Sequence, residues 1–355
     1  MTQQGRGATH IPASSSQTDG LIHISYSWSR GEGKKTIKHV VVDPAKMCAD
    51  VTPDKFTWAE RLGWPAGKKV ILLHMDDAGM CPEANAAVEN YISSRKIMST
   101  AVMMPCPEAD KFVEWARQHP EGDIGVHLTL TSEWQHYRWG PLTAKGKVPG
   151  LIDPEGKLWH EVPDVAMHAK PQEVETEIRA QIDRMISLGQ KPSHIDTHMG
   201  TMYATPDYLR VFLKVAEEYR IPANIIEFSD PGVADVFRKQ GYPVDQLKIK
   251  ELDQYSLPRL DNFNSVPEGK TYEEKMNNFI ALVKSLNPGL TEIIFHPSVE
   301  SDNLKSITGS WQQRVWEGKM FSDPLVQKIL KDEGIIITTW KEIMERYSNR
   351  PVTIF

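Results

Sequence analysis

The sequence predicts an α/β protein, a (β/α) barrel with about seven parallel strands, preceded by an N-terminal extension. Three observations carry that prediction. From Lys69 onward, short apolar runs alternate with segments of helical periodicity, the rhythm of repeated βα units with parallel strands. The strand-like runs number seven. Histidines and aspartates collect at the ends of three of them, and chemistry at several separate strand ends favours a barrel over an open sheet.

Taken in order, residues 1–20 are rich in Ser, Gly, Gln and Thr and predict a disordered tail. Two alternating runs between Leu21 and Val42, LIHISYSW and TIKHVVV, predict a hairpin turned by the glycines of SRGEGKK. An edge hairpin packed on the main domain is its expected role, with a substrate-facing or dimer-forming arm as the alternative. Thr57–Gly67 predicts a short helix and turn, so residues 21–67 are assigned to the extension and 68–355 to the barrel. Within the barrel, strands are predicted near Val70–Met75, Met98–Met104, Asp123–Leu130, Ser193–His198, Asn224–Phe228, Thr291–His296 and Ile335–Thr339. Helices are predicted near Pro82–Ser94, Pro107–His119, Pro171–Leu188, Pro206–Tyr219, Tyr272–Leu286 and Pro324–Glu333. The third of these carries Val174, Ile178, Ile182 and Ile186 at helical spacing. Residues 132 to about 170 form a long insertion.

Composition removes several classes of function. The 355 residues carry a net charge of −6, which argues against nucleic acid as a partner because phosphate binding needs a basic face. No apolar run reaches the roughly 18–20 residues of a membrane helix. The N-terminus has no apolar core of a signal peptide. Cys48, Cys81 and Cys106 lack metal-type spacing and argue against a disulfide scaffold. Together these features predict a cytoplasmic location. Neither a Gly-x-Gly-x-x-Gly turn nor a Gly-Lys-Ser/Thr loop follows the first strand, which argues against a nucleotide cofactor.

Three stretches carry the chemistry. VILLHMDDAGM, Val70–Met80, begins as a buried strand and ends in His74, Asp76 and Asp77. Adjacent carboxylates are costly inside a strand but suit a metal or acid/base site at its end. The plainer reading is an acidic turn in which Asp77 caps the next helix. In DIGVHLTLT, Asp123–Thr131, the alternation puts His127 on one face with Gly125, Thr129 and Thr131. In SHIDTHMGT, Ser193–Thr201, His194, Asp196 and His198 share a face. Histidine with carboxylate is the usual ligand set for zinc and related divalent ions. The residues alone do not choose Asp77 over Asp76, or His198 over His194.

HMDDAG, IGVHLTLT, HIDTHMG and a later IIFHPS together resemble the YdjC/ChbG family of carbohydrate deacetylases, relatives of the polysaccharide deacetylases. The resemblance covers roughly residues 68–340. Two motifs depart from the family. His74-Met75-Asp76-Asp77-Ala78-Gly79 stands where members commonly read Asn-Ala-Asp-Asp-Phe-Gly, and the further histidines that often follow the third motif are missing after His198. The resemblance implies a distorted barrel, one divalent metal ion (zinc or magnesium) on Asp77, His127 and His198, and a saccharide substrate. It also implies a homodimer. Asp76 is then the expected general base, and His296 the acid that protonates the leaving amine from the opposite side of the site. Asp196, His194 and Glu292 are expected to support the ligands from behind. Trp134, Tyr137, Arg138 and Trp139, in SEWQHYRWGP after the second motif, are expected to line a sugar site, since aromatic faces stack on sugar rings. Trp311 and Trp316 are candidates for the other side, and residues 199–203 for the border. The rival readings are a metal-dependent hydrolase of another amide, ester or phosphoester, and a non-catalytic saccharide-binding protein.

Overall fold

The computed structural model describes residues 56–228, 231–247 and 250–349, together with the backbone of three N-terminal strands. The chain divides into two compact units, Met1–Phe56 with Val352–Phe355, and Thr57–Pro351. In the first unit, β1 (Ser15–Ser16), β2 (Ile22–Ser29) and β3 (Lys35–Val42) form a small antiparallel sheet. β2 and β3 pair from Ile22 opposite Val42 to Ser29 opposite Lys35, the register of a hairpin. The rest of the expected tail lies outside the described residues.

The second unit begins earlier than the sequence boundary at 67/68. Its first helix, Trp58–Arg61, is closed by a capping box in which Thr57 and Glu60 satisfy each other's backbone N–H groups. Asp261 accepts hydrogen bonds from the N–H groups of Trp58 (2.8 Å) and Leu290 (2.7 Å), tying this helix to a central strand. Trp58, Leu62 and Trp64 are buried against Val70, Leu72, Leu290 and Trp340. Residues 57–67 therefore belong with the barrel. Burial decides this, and a short aromatic helix next to a polar extension gives no sequence sign of it.

Seven parallel strands build the main sheet: β4 (Lys69–Ala78), β5 (Ser99–Val102), β6 (Asp123–Leu128), β7 (Ile195–Thr197), β8 (Asn262–Ser265), β9 (Gly289–Phe295) and β10 (Ile336–Ile337). The order is β7-β6-β5-β4-β9-β8, and β10 lies along the start of β4, before β5 joins it at His74. β4 is at the centre and every residue from Val70 to Ala78 is buried, as expected for a strand covered on both faces. Between β7 and β8 the curl is completed by two single bridges, Ile195 to Ala223 and Ile226 to Leu260. The result is a parallel sheet curled into a distorted barrel with helices around it.

The predicted strand over Asn224–Phe228 is corrected by those bridges. The Ile225 N–H turns back onto the Ala223 carbonyl (2.7 Å) and interrupts the ladder. β8 takes the place in the sheet instead. Its sequence, NFNS, has low strand propensity and stays partly exposed, so nothing in its pattern announces a strand. The helices Pro82–Ser93, Pro171–Ser187 and Pro206–Tyr219 start where their prolines predict. Helices at Val162–His168, Trp311–Met320 and Trp340–Ser348 were not anticipated. Among the described residues, no helix is long and apolar enough to cross a membrane.

Candidate metal and catalytic site

The C-terminal end of β4 breaks the rule that neighbours on a strand face opposite ways. Its pairing with β5 shifts register between Met75 and Ala78, and Asp77 takes a left-handed backbone, φ 64°. That conformation is unfavourable for a residue with a Cβ and is characteristic of functional positions. Gly79 follows at φ 84°, where a Cβ would collide with the backbone of Ala109. The distortion lets Asp76 and Asp77 line one cavity.

Asp77 meets His127 from β6 and His198 from just beyond β7. Their facing atoms, Asp77 Oδ1, His127 Nε2 and His198 Nδ1, are separated by 3.2 Å between the histidines and 3.5 Å from each to the carboxylate. The outer nitrogens are occupied: His127 Nδ1 bonds Asp196 Oδ1 (2.7 Å) and His198 Nε2 bonds Glu133 Oε2 (3.1 Å). A neutral ring that donates its outer N–H to a carboxylate turns the lone pair of its other nitrogen inward. Asp77 Oδ1 is buried with no hydrogen-bond partner. Three acceptors therefore face one point, an arrangement that needs a cation or a shared proton. Bonds of about 2.0–2.1 Å at tetrahedral angles require donor atoms roughly 3.3–3.4 Å apart, so the spacing fits a zinc-like ion. The three residues are buried and could hold a divalent metal.

The electrostatics agree with that use. Burial alone would raise the Asp77 carboxyl, but Arg314, whose Nη1 donates to Asp77 Oδ2 (2.7 Å), holds it well below the usual carboxylate range with help from His198. Burial opposes a charged His198, yet Glu133 and Asp77 push its pKa up to about 10. The ligand set thus competes for protons as well as for cations.

Behind the ligands runs a buried polar chain. Asp196 bonds His127 with Oδ1 and places Oδ2 2.9 Å from His74 Nε2. His74 Nδ1 meets the Ser99 hydroxyl (2.9 Å), which donates to Asp123 Oδ2 (2.8 Å). Asp123 in turn accepts the N–H groups of Trp340 and Lys341. Burial would raise Asp196, but His127 and His74 hold it far below its ordinary value. His194 lies beside this chain rather than in it. Its ring is edge-on to His74 and stacked on Trp340. Burial, with His74 nearby, lowers its pKa to about 4. Glu292 is buried at Trp340 Nε1 (3.3 Å), and desolvation pushes it up to about 7.

Asp76 and His296 flank the ligand set. His296 Nε2 lies 3.8 Å from Asp76 Oδ2. His296 is therefore a neighbour of Asp76, not a group across the site from it. Burial drives the Asp76 carboxyl well above its usual range, against the pull of His127, and Asp196 and Asp77 add to the rise. Burial lowers His296, and Arg314 lowers it further. The His296 backbone N–H donates to Glu317 Oε2 (2.6 Å), and Glu317 Oε1 pairs with the buried Lys275 (2.7 Å). Arg314 and Glu317, three residues apart on the helix Trp311–Met320, thus brace the ends of β4 and β9 together.

Sequence reading missed Arg314, Glu317 and Glu133. The first two look like an ordinary solvated helix face. Glu133 did offer a signal, an acid two residues past the Leu130–Thr131 end of the ligand motif. The expected Trp311 and Trp316 do not line the cavity, and their helix delivers Arg314 instead.

The cavity over the ligands holds about 780 Å³. Asp76, Asp77, His127, His198 and His296 line it, together with Trp134, Met199, Gly200 and Tyr203. Arg314 lies 5.5 Å over the Trp134 ring. Tyr137, Arg138 and Trp139 are turned elsewhere. The Tyr137 hydroxyl donates to the Met80 carbonyl (2.7 Å) and Trp139 Nε1 donates to the Thr131 carbonyl (2.9 Å). Arg138 reaches Asp153 (2.7 Å) and the Leu158 carbonyl (2.6 Å). These three pin the insertion to the barrel and are not among the residues that line the cavity, which corrects their expected contact with sugar.

Comparison with known proteins agrees with this architecture. The model of the YdjC-like protein family matches residues 70–332. A carbohydrate deacetylase of Thermus thermophilus is 28% identical over 291 residues, covering 81% of this chain and 97% of that protein. A carbohydrate deacetylase of Thermoanaerobacter pseudethanolicus is 25% identical over 274 residues, covering 77% and 98%. A crystal structure from Enterococcus faecalis V583, of a candidate cellobiose-phosphate cleavage protein, superposes with a TM-score of 0.62. It is 22% identical and covers 78% of this chain and 99% of that one, which shows a common fold.

Proposed function

This chain belongs to the YdjC-like protein family, and from that premise we propose that it is a metal-dependent carbohydrate deacetylase, hydrolysing an N-acetyl group on an amino sugar to acetate and a free amine. The observation that carries this reading is the convergence of three buried lone pairs, on Asp77, His127 and His198, beside a free carboxylate and a free imidazole. The names of the relatives support the substrate class.

A divalent ion, zinc or magnesium, bound at that point would polarise the acetyl carbonyl and acidify the attacking water. Asp77, His127 and His198 are the residues that would hold it. Asp196 and Glu133 fix the rings of His127 and His198 through their outer nitrogens. Asp76 receives the proton of the attacking water. Its burial among other carboxylates makes it a stronger base than an exposed aspartate. His296 gives a proton to the nitrogen as the C–N bond breaks. At 3.8 Å from Asp76 it is placed to be reprotonated through that carboxyl between turnovers.

The test is acetate release from N-acetylglucosamine oligosaccharides by metal-stripped protein resupplied with zinc, magnesium or manganese. Metal-dependent release is expected, and Asp76→Asn is expected to lower kcat by about 10²–10⁴ while metal still binds. A wild-type protein that binds metal and frees no acetate from any such sugar overturns the reading.

A further inference from the structure

The catalytic groups make one part of the cavity lining. The rest comes from a different part of the chain, the bridged segment 223–226, the turn at 240–242 and the strand β8 with its exit. One atom there is out of balance. Asn224 lines the cavity, is 5% exposed, and its Oδ1 has no hydrogen-bond partner. A buried amide oxygen left unpaired costs free energy. The neighbouring group is Glu292, whose carboxyl the Asn224 side chain lowers against the rise from burial. The side chain borders the cavity, and its oxygen marks a place where a donor is missing.

The groups around it extend the pattern. Gln240 and Asn264 add amides, and Tyr242 and Phe263 add ring faces. Tyr242 is held in place by close contact with Gly200, two residues past the ligand His198. A Cβ on Gly200 would run into the Tyr242 hydroxyl, and the residue's φ of 65° disfavours a side chain as well. Amides that donate and accept, beside aromatic faces, suit a ring with hydroxyls at its rim and C–H groups on its face. Among the described residues, the guanidinium in the lining is Arg314, and it is engaged by Asp77. This part of the lining carries no charged side chain among the described residues.

We infer that Asn224, Gln240, Tyr242, Phe263 and Asn264 form the sugar-binding subsite, one that takes a neutral hydroxylated ring and sets substrate specificity apart from the metal end. The Asn224 amide oxygen accepts a hydrogen bond from a ring hydroxyl or amide N–H. This inference rests on the deacetylase reading for its substrate. It moves ring recognition from Tyr137, Arg138 and Trp139 of the insertion to the segments 223–226 and 240–242 and to β8.

Two measurements test it. The first titrates N-acetylglucosamine oligosaccharides into metal-stripped protein by calorimetry. The second follows acetate release by the metal-loaded enzyme. Asn264→Ala and Tyr242→Ala are each expected to weaken binding and raise KM about fivefold to tenfold, with kcat within about twofold. Asn224→Ala is expected to raise KM more than tenfold, and Asn224→Asp, which keeps an acceptor, to recover part of that. A thermal melt equal to wild type in Asn264→Ala keeps the result readable if Asn224→Ala folds poorly. Unchanged KM and affinity in Asn264→Ala and Tyr242→Ala overturn the subsite. Unchanged affinity in Asn224→Ala means its oxygen serves an enclosed water only, and also overturns it. Absence of acetate release from wild type defeats the deacetylase reading instead, and the calorimetric series still judges the subsite by itself.

Discussion

The two parts of the cavity lining, a proposed metal end and a far end, are built on different principles. At the first, every proposed ligand sits at or just past a strand end, and each is held by a second group: Asp77 by Arg314, His127 by Asp196, His198 by Glu133. At the far end the segment 223–226 is bridged at single residues while β8 pairs regularly with β9, and the polar groups are neutral amides, with one of them unpaired. The contrast teaches a division of labour. Three lone pairs must meet within a fraction of an ångström, which only rigid strand ends with outer-shell support provide. Recognition of a ring tolerates looser backbone, because it is spread over several weak contacts.

The sharpest way to break that contrast is to remove a ligand. His127→Ala is expected to lower metal affinity and deacetylation by well over about 100-fold, more than the loss of any outer partner. Metal content by elemental analysis and acetate release check it together, and a variant that keeps its metal would dissolve the distinction between the two ends.

Removing a brace should cost less. Arg314→Met leaves the Asp77 carboxylate buried without its cation, and metal affinity is expected to fall by roughly 10–100-fold. Arg314→Lys should recover part of that. Equal affinity in all three proteins would show that the helix Trp311–Met320 packs without bracing.

The buried chain behind the ligands also makes a pH prediction. His194 ionises near 4 in the folded protein and near its ordinary 6.5 when unfolded. Between those values the unfolded state takes up a proton that the folded state refuses. Stability is therefore intact above about 6.5 and lost as pH falls toward 4, by about 3 kcal/mol from this ring. Denaturant midpoints measured from pH 7 to 4 should fall more steeply in wild type than in His194→Gln. Parallel curves would remove the ring from the acid sensitivity.

The smallest effect is expected in the insertion. Tyr137→Phe deletes one hydrogen bond to the Met80 carbonyl and should cost about 1 kcal/mol of stability with KM unchanged. A shift in KM would return this loop to the sugar site and blur the boundary between catalytic and recognition walls.

Much of the metal end was legible in the sequence because its signals are local. His127 and His198 are polar residues on strands whose other face is apolar, and Asp76-Asp77 is a pair of charges that a buried strand cannot otherwise hold. The prolines at helix starts placed Pro82, Pro171 and Pro206 for an equally local reason. The far end was not legible. NFNS has no strand pattern, and Asn224 reads as one polar residue in a run expected to be a regular strand. Tyr137, Arg138 and Trp139 misled because an aromatic cluster looks the same whether it faces a ligand or its own barrel.

Sequence alone determined that this chain alternates strands with helices, that carboxylate and imidazole gather at strand ends, and which family its motifs resemble. Tertiary structure decided the rest. Asp76 and Asp77 are neighbours of identical chemistry, and the left-handed turn at Asp77 with the shifted β4–β5 register gives one to the histidines and the other to His296. Arg314 arrives from 237 residues away and Glu133 from an insertion. No local pattern encodes such meetings, because they depend on how the sheet curls and which side chains that curl leaves with an unpaired charge or an unpaired lone pair.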